Sequence, residues 1–141
     1  MATLRPKPRP AERDYSHRTL IEKLGIKSDQ RILILDINDP NFANDIAIYE
    51  PAFAEPRSAQ EFDLILYGAE VKKALARLSK LQKNIVSNGA IWVVYPKGQT
   101  EIRESDVIAA AKSAGLVDNK ICRFSDTHTA MRCVIPLTKR K

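Results

Sequence analysis

The chain has 141 residues, of which 44% are hydrophobic and 28% are charged, and its formal net charge is +6. These values lie near the averages for globular proteins, so they exclude disordered and fibrous classes and predict one domain with its own core. Two cysteines, Cys122 and Cys133, are too few for a disulfide scaffold and lack C-x-x-C metal spacing.

The excess positive charge lies at the two ends of the chain. Basic residues exceed acidic ones by three within residues 1–13, and residues 139–141 add three more, so the stretch between them is neutral. Basic tails can hold phosphate backbones weakly and without sequence preference, and solvated basic tails also keep domains soluble. We therefore predict at most weak, non-specific nucleic-acid contact through these tails.

Composition divides the chain into three predicted segments. Residues 1–15 are predicted to form a flexible, basic, proline-rich arm, residues 16–137 a single α/β domain, and residues 138–141 a basic tail. No apolar run approaches the ~20 residues of a membrane span, and the basic start has no apolar signal-peptide centre. These features predict a cytoplasmic protein without a membrane-inserted segment.

Hydrophobic patterns predict alternating helices and strands along this domain. The predicted helices begin at Ser16, near Phe42, at Glu70 and at Ser105, and the predicted strands cover residues 31–37, 62–67, 90–95, 116–124 and 129–135. Continuous apolar strands are buried on both faces, which is typical of a parallel sheet covered by helices. The helix predicted over residues 70–86 is amphipathic and ends at Asn88 and Gly89. The short connection between the last two strands makes them antiparallel.

The order of these elements resembles the class I S-adenosylmethionine-dependent methyltransferases. The phrases that carry the resemblance are Glu61-Phe62-Asp63-Leu64-Ile65, Asn88-Gly89-Ala90 and Ala114-Gly115-Leu116. The resemblance implies a truncated Rossmann-like α/β fold, with a mainly parallel sheet closed by an antiparallel C-terminal hairpin. The stretch 38–61, which Pro40, Pro51 and Pro56 interrupt, has no room for that superfamily's second and third strands.

A narrower resemblance rests on four further motifs. These are Leu24-Gly25-Ile26-Lys27, Trp92-Val93-Val94-Tyr95-Pro96-Lys97-Gly98, Ala114-Gly115-Leu116-Val117-Asp118 and Phe124-Ser125-Asp126-Thr127-His128-Thr129-Ala130. They are similar to a bacterial family of small proteins filed as domain of unknown function 3052. This resemblance implies the truncated methyltransferase-like fold and implies no particular reaction.

The turn after the first predicted strand lacks the glycines that a methyltransferase cofactor turn needs. It reads Asp36-Ile37-Asn38-Asp39-Pro40-Asn41-Phe42, and all five glycines lie elsewhere. Glycine lets the backbone approach a nucleotide closely, and the acidic residue that would hold the ribose belongs to the missing second strand. We therefore predict no cofactor and no measurable S-adenosylmethionine binding, and we favour a protein that is not an active methyltransferase.

Polar residues at the carboxyl ends of the predicted strands form the candidate site, because ligands gather there in open α/β sheets. The predicted crevice residues are Asp36, Asn38, Asp39, Tyr95, Lys97, Asp126 and His128. His128 is a candidate proton donor or phosphate contact and Lys97 a candidate anion anchor. The alternative is that Asp126 and Thr127 only form a turn, that His128 is a half-exposed loop residue and that Lys97 is simply solvated.

Other chemistry is not predicted from these residues. Three guessed ligands, Asp36, Asp39 and His128, do not establish a metal site, so no metal is predicted. Ser125 and its neighbours on one turn cannot adopt the geometry of a hydrolase triad. Cys122 and Cys133 lie symmetrically about the centre of the hairpin, a placement in which their side chains can face each other. We expect two buried thiols rather than a disulfide bond.

Two functions remain open from the sequence. One is a non-catalytic binding or interaction module on a degenerate methyltransferase-like scaffold, which self-associates or binds an unknown protein partner through a surface exposed by the missing strands. The alternative is an enzyme or binder that acts on a small anionic ligand, of nucleotide or phosphate type, in the crevice.

Overall fold

A five-stranded mixed sheet is the centre of the computed structural model, which describes residues 19–139. The strands are β1 (Ile32–Leu35), β2 (Phe62–Gly68), β3 (Ile85–Pro96), β4 (Val117–Arg123) and β5 (His128–Val134), in the spatial order β1-β2-β3-β5-β4. Strands β1, β2 and β3 pair in parallel, whereas β5 is antiparallel to both β3 and β4. The predicted Rossmann-like α/β fold with an antiparallel closing hairpin is therefore confirmed.

Short helices cover both faces of this sheet. They are α1 (Leu20–Lys23), α2 (Pro40–Ile46), α3 (Leu78–Leu81) and α4 (Glu104–Ser113), with 3₁₀ turns at Ala47–Tyr49, Lys72–Arg77, Gln82–Asn84 and Leu137–Lys139. None of the helices within residues 19–139 has the length and apolar character needed to cross a membrane. The arm predicted for residues 1–15, the helix start predicted at Ser16 and the last two residues of the basic tail lie outside the described residues.

Helix α1 is fixed at both ends by specific hydrogen bonds. At its start, the Glu22 amide donates to the Thr19 hydroxyl at 3.2 Å and the Thr19 amide donates to the Glu22 carboxylate at 3.0 Å, which is a capping box. At its end, the indole Nε1 of Trp92 donates to the Leu24 carbonyl at 3.0 Å. That carbonyl has lost its helical partner, so a strand residue in the sheet stabilises the end of the helix.

The prediction of a long amphipathic helix over residues 70–86 is wrong. The segment is a 3₁₀ turn, the single α-helical turn α3 and a second 3₁₀ turn, and β3 begins directly afterwards at Ile85. Gly89 lies inside β3 instead of ending a helix, and a Cβ there would lie 2.8 Å from the Asp63 carbonyl oxygen. The apolar spacing correctly indicated a buried face, but 3₁₀ and α turns place apolar residues on one side about equally well over so few residues.

Each face of the sheet has its own hydrophobic core. The α4-side core contains Leu33, Leu35, Ile65, Tyr67, Leu75, Leu78, Leu81, Ile91, Val93, Tyr95, Val107, Ala111 and Cys133, among others. The α2-side core contains Leu24, Ile32, Ile34, Phe42, Ile46, Leu64, Leu66, Trp92, Val94, Phe124 and Ala130, among others. Because successive strand residues alternate between these cores, the strands read as continuous apolar runs.

The two cysteines do not face each other across the hairpin, contrary to expectation. Cys122 pairs with Ala130, whereas Cys133 pairs with Asp118. Cys133 is completely buried in the α4-side core and half-buried Cys122 packs against the α2-side core. Ala130 and Cys133 are three positions apart, and an odd number of positions along a strand places two side chains on opposite faces. Neither cysteine is part of a disulfide bond.

Within residues 19–139, the outer edge of β1 carries a single bridge in place of further strands. Ala52 pairs with Leu33 in parallel, with hydrogen bonds of 2.8 and 2.9 Å to the backbone on either side. Nearby Ile48 and Phe53 are exposed. The proline-interrupted stretch therefore covers part of the β1 edge without forming a strand there.

Candidate functional site

A cavity of about 350 Å³ opens at the carboxyl ends of the strands, and we call it the crevice. Its lining residues are Asp36, Ile37, Asn38, Asp39, Gly68, Glu70, Val94, Phe124, Thr127 and His128. They come from the turn after β1, the end of β2, strand β3 and the turn between β4 and β5. The crevice thus lies where the topology of an open α/β sheet places ligands.

The turn after β1 is shaped by an aspartate in a conformation that usually requires glycine. Asp36 has φ of 58°, in the left-handed region, which aspartate adopts more readily than most residues with a Cβ. The glycine comes instead from the neighbouring strand, because a Cβ on Gly68 would lie 2.1 Å from the Asp36 carbonyl oxygen. The ends of β1 and β2 therefore approach each other closely without a glycine in the first turn.

Asp39 orients the crevice wall by capping helix α2. Its Oδ1 accepts a hydrogen bond of 3.1 Å from the Phe42 amide, and Pro40 occupies the first helical position, where no amide donor is needed. Phe42 then packs on Phe124 with ring centroids 5.0 Å apart. Because Asp39 fixes the start of α2, it also fixes the position of Phe42 and so of the Phe124 ring, which lines the crevice.

His128 is held by a partner on each ring nitrogen. Its Nε2 lies 2.7 Å from the Glu70 carboxylate and its Nδ1 lies 2.8 Å from the Thr127 hydroxyl. A carboxylate only accepts, so Nε2 carries a proton toward Glu70, and Nδ1 can accept from Thr127. These two contacts fix the orientation of the imidazole ring beside the crevice.

Glu70 is the crevice residue that sequence reasoning missed. The sequence pattern predicts it at the start of a long helix, whereas it lies just beyond the end of β2 and contacts His128. Its position two residues after Gly68 was the available signal, because the same topological rule that selected Asp36 applies to the end of the second strand.

The structure brings together only part of the predicted site. Asp36, Asn38, Asp39 and His128 all line the crevice. Tyr95 and Lys97 instead line a second cavity, of about 450 Å³, whose lining includes Ile102 and so opens on the α4 side of the sheet. Their placement in the crevice is therefore wrong, and the physical reason is strand alternation: Val94 faces the crevice, so Tyr95 points the other way.

Asp126 also lies outside the crevice lining. Its carboxylate pairs with the Arg123 guanidinium on the exposed hairpin turn. The backbone of that turn is anchored to the sheet, because the Lys97 amide donates to the Thr127 carbonyl at 3.0 Å. His128 thus remains beside the end of β3, in register with Pro96, although the Lys97 side chain turns away.

Carboxylates dominate the charge around the crevice. Asp36, Asp39 and Glu70 line it, and His128 is the basic side chain among the lining residues. Arg77 lies 4.0 Å from the Asp36 carboxylate and also pairs with Glu55, whose hydrogen bond raises the pKa of the Arg77 guanidinium. Within residues 19–139, no three His, Cys, Asp or Glu side chains are arranged to hold a metal ion. The crevice can accept hydrogen bonds and attract positive charge.

Comparison with solved structures relates this architecture to methyltransferases. A S-adenosylmethionine-dependent methyltransferase from Aquifex aeolicus is 10% identical, with a TM-score of 0.61 over 83% of this chain and 88% of that one. A TehB-like enzyme from Corynebacterium glutamicum is 12% identical, with a TM-score of 0.56 over 83% and 85%. The 1,6-didemethyltoxoflavin-N1-methyltransferase of Burkholderia thailandensis, bound to S-adenosylhomocysteine, is 11% identical, with a TM-score of 0.55 over 81% and 73%. No family model and no curated protein matches the chain.

This comparison contradicts the prediction that no cofactor is involved. Of the three solved structures named above, two are described as S-adenosylmethionine-dependent methyltransferases and the third holds S-adenosylhomocysteine. The sequence argument depended on the missing glycine in the first turn and on the missing acidic residue of the second strand. Its first part failed because left-handed Asp36 and nearby Gly68 shape that turn instead. The chain therefore has a methyltransferase-like Rossmann scaffold, at whose strand ends an acidic crevice lies.

Proposed function

We propose that the protein is a binding module that holds a S-adenosylmethionine-type ligand, a nucleoside with a positively charged sulfonium side chain, in the crevice. One observation carries this proposal: three acidic residues, Asp36, Asp39 and Glu70, line a cavity at the strand ends of a methyltransferase-like fold. Carboxylates attract a sulfonium and an ammonium group, and they accept hydrogen bonds from ribose hydroxyls.

The lining residues fit this ligand in chemistry. Oδ1 of Asp39 already caps α2, so Asp36 and Asn38 are the better candidates for hydroxyl contacts. Val94 and Phe124 supply an apolar floor on which a base can lie. A mixed lining of this kind, apolar with a few convergent polar groups, is typical of small-molecule sites.

The size of the crevice favours binding over methyl transfer. Ligand sites span roughly 300 to 1,000 Å³, and a volume of about 350 Å³ lies near the lower limit. Such a cavity suits one small ligand better than a cofactor together with a methyl acceptor. We therefore keep the non-catalytic module as the proposal.

An anionic ligand of nucleotide or phosphate type is the weaker candidate for this cavity. The three lining carboxylates would repel it, and His128 is already paired with Glu70. Lys97, the predicted anion anchor, lines the other cavity.

Membership of the bacterial family named above, a cytoplasmic location and self-association or a protein partner also remain proposals. Exposed Ile48 and Phe53 beside the single bridge at the β1 edge support the last of these, because exposed apolar surface at a sheet edge invites association. Weak nucleic-acid contact would involve tails that lie mostly outside the described residues.

Calorimetric titration tests the proposed ligand. We expect S-adenosylmethionine and S-adenosylhomocysteine to bind with a roughly micromolar dissociation constant, and ATP to bind more weakly. Asp36→Asn retains a residue that tolerates left-handed φ but removes the charge, so it should weaken S-adenosylmethionine binding about tenfold. Asp45→Asn is the matched control, because Asp45 is exposed on α2 outside the crevice lining.

Two results would overturn this function. One is the absence of binding by either sulfur-containing nucleoside at millimolar concentration, and the other is equal weakening by the Asp36 and Asp45 changes. A separate measurement tests the absence of catalysis. Radiolabelled S-adenosylmethionine should be recovered intact after incubation, whereas steady release of S-adenosylhomocysteine would show that the protein is an active transferase.

A further inference from the structure

The second cavity, on the α4 side of the sheet, has the features of an anion site. It is lined by the end of β3, the loop that follows it and the first residue of α4, together with Ile121 and Thr129 of the hairpin. We propose that this cavity binds a phosphoryl group, which contacts the hydroxyl of Tyr95, the guanidinium of Arg103 and the free amides at the start of α4. The proposal does not depend on the ligand of the crevice.

Tyr95 supplies the observation that points to a ligand. Its side chain lines the cavity and only 4% of the residue is exposed, yet its hydroxyl has no hydrogen-bond partner among residues 19–139. A buried hydroxyl without a partner is unfavourable, so native structures nearly always provide one. Burial, and then the charge of Glu104, raises the pKa of Tyr95 to about 12, so the hydroxyl stays protonated and can donate to a ligand oxygen.

The start of α4 offers further donors beside this hydroxyl. This helix has ten residues, and the Arg103 amide before it is occupied by the Asp106 carboxylate at 2.9 Å. The amides of Asp106 and Val107 bond to the Arg103 carbonyl at 2.9 and 3.2 Å. The amides of Glu104 and Ser105 have no partner within the described part of the chain, and unpaired amides at a helix start attract anions.

The charges of the lining favour an anion. Lys97 and Arg103 line the cavity and form no ion pair with any described residue, whereas Glu104 is the acidic residue of the lining. Gln99 and Thr100 add further polar groups. The planar guanidinium of Arg103 can give two parallel hydrogen bonds to a phosphoryl group. The predicted anion anchor Lys97 thus fits the second cavity better than the acidic crevice.

Amide ¹H–¹⁵N spectra of the full chain, titrated with inorganic phosphate against chloride of equal ionic strength, test this site. We expect saturable shifts at the Glu104 and Ser105 amides. Arg103→Gln should raise the dissociation constant about tenfold, and Tyr95→Phe about fivefold. Lys112→Gln should leave it unchanged, because Lys112 is exposed in the last turn of the same helix.

The second arm of the experiment distinguishes two sources of the phosphoryl group. Tighter binding of glucose 6-phosphate than of inorganic phosphate supports a phosphorylated metabolite, and equal or weaker binding supports free phosphate. The proposal is overturned if phosphate shifts no amide at the start of α4, if the strongest shifts occur at Asp36 and Asp39, or if Lys112→Gln weakens binding as much as Arg103→Gln. Should Tyr95→Phe fail to fold, the Arg103 variant decides alone, and unchanged affinity in it overturns the site.

Discussion

The contact between Asp36 and Gly68 sets the shape of the crevice at the scale of single residues. Left-handed Asp36 turns the chain at the end of β1, and its carbonyl oxygen occupies the place that a Cβ of residue 68 would need. The position that requires glycine therefore lies on β2, one strand away from the turn that follows β1. Any residue larger than glycine at position 68 would push apart the ends of two paired strands.

Gly68→Ala is consequently expected to destabilise the protein strongly. The added carbon would lie 2.1 Å from a backbone oxygen that cannot move freely, so we expect a loss of about 3 kcal/mol or more. Gly98→Ala is the comparison, because position 98 has open space and only the strain of φ at +74°, which costs about 1 to 2 kcal/mol. Urea denaturation measures both, and equal losses would contradict the proposed clash.

A second prediction at the residue scale concerns Cys133 and alkaline pH. Burial raises the pKa of its thiol from the ordinary 9.0 to about 12, and the charge of Asp118 adds to the effect. Because the folded pKa exceeds the unfolded one, the stabilisation is complete below about pH 9 and is lost as pH rises toward 12. The free energy of unfolding should fall by about 1.4 kcal/mol per pH unit in this window.

Urea titrations at pH 8, 9 and 10 measure this slope. In Cys133→Ala the decline between pH 9 and 10 should be much smaller, since Tyr95 and Tyr67, whose pKa values are likewise raised by burial from 10.0, begin to contribute only as the pH approaches 10. The same decline in wild type and variant would show that the thiol is not its cause.

At the scale of elements, α1 is too short to be stable by itself and depends on the sheet. A helix of four residues has almost no intrinsic stability in water. The Trp92 indole, buried on β3, bonds to the Leu24 carbonyl and so connects the end of α1 to the central strand. This link spans 68 residues of sequence, so it forms only when the sheet is assembled.

Trp92→Phe is therefore expected to destabilise the protein by about 2 to 3 kcal/mol. The change leaves a buried carbonyl without its donor and opens a small cavity. Amide hydrogen exchange should also speed up at Leu24 and Gly25 more than at β2. Phe53→Leu is a control, because Phe53 is an exposed aromatic residue and its replacement should change stability by less than about 0.5 kcal/mol. Unchanged exchange at Leu24 would contradict the link.

At the scale of the whole molecule, one sheet supports both hydrophobic cores. Strands β1, β2 and β3 contribute side chains to each core in alternation, so neither core can form without the same backbone pairing. The α4-side core and the α2-side core are thus expected to unfold together as one cooperative unit.

Leu78→Ala and Ile46→Ala test this cooperativity. Leu78 lies in the α4-side core and Ile46 in the α2-side core, and truncating either buried side chain should cost about 2 to 5 kcal/mol. Both variants should lower the midpoint of one transition, seen identically by near- and far-ultraviolet circular dichroism. Two separate transitions in either variant would show that the cores fold independently.

The sequence by itself determined the sheet and the edge at which the crevice lies. Apolar runs such as residues 62–67 and 90–95 are too continuous for any surface element, so they had to be buried strands. Parallel strands place all their carboxyl ends on one edge, which is why residues as distant as Asp36 and His128 could be predicted to meet. Both inferences use only periodicity and connection length, and these are local properties of the chain.

Only the tertiary structure decided which face each site residue occupies and how the turns are shaped. Tyr95 and Lys97 belong to the second cavity because the register of β3 points Val94 into the crevice, and a shift of one residue would reverse that choice. The left-handed turn at Asp36 depends on close contact with Gly68, 32 residues away. The register of paired strands and close contacts between backbones arise from packing between distant segments. Local sequence patterns therefore do not predict either of them.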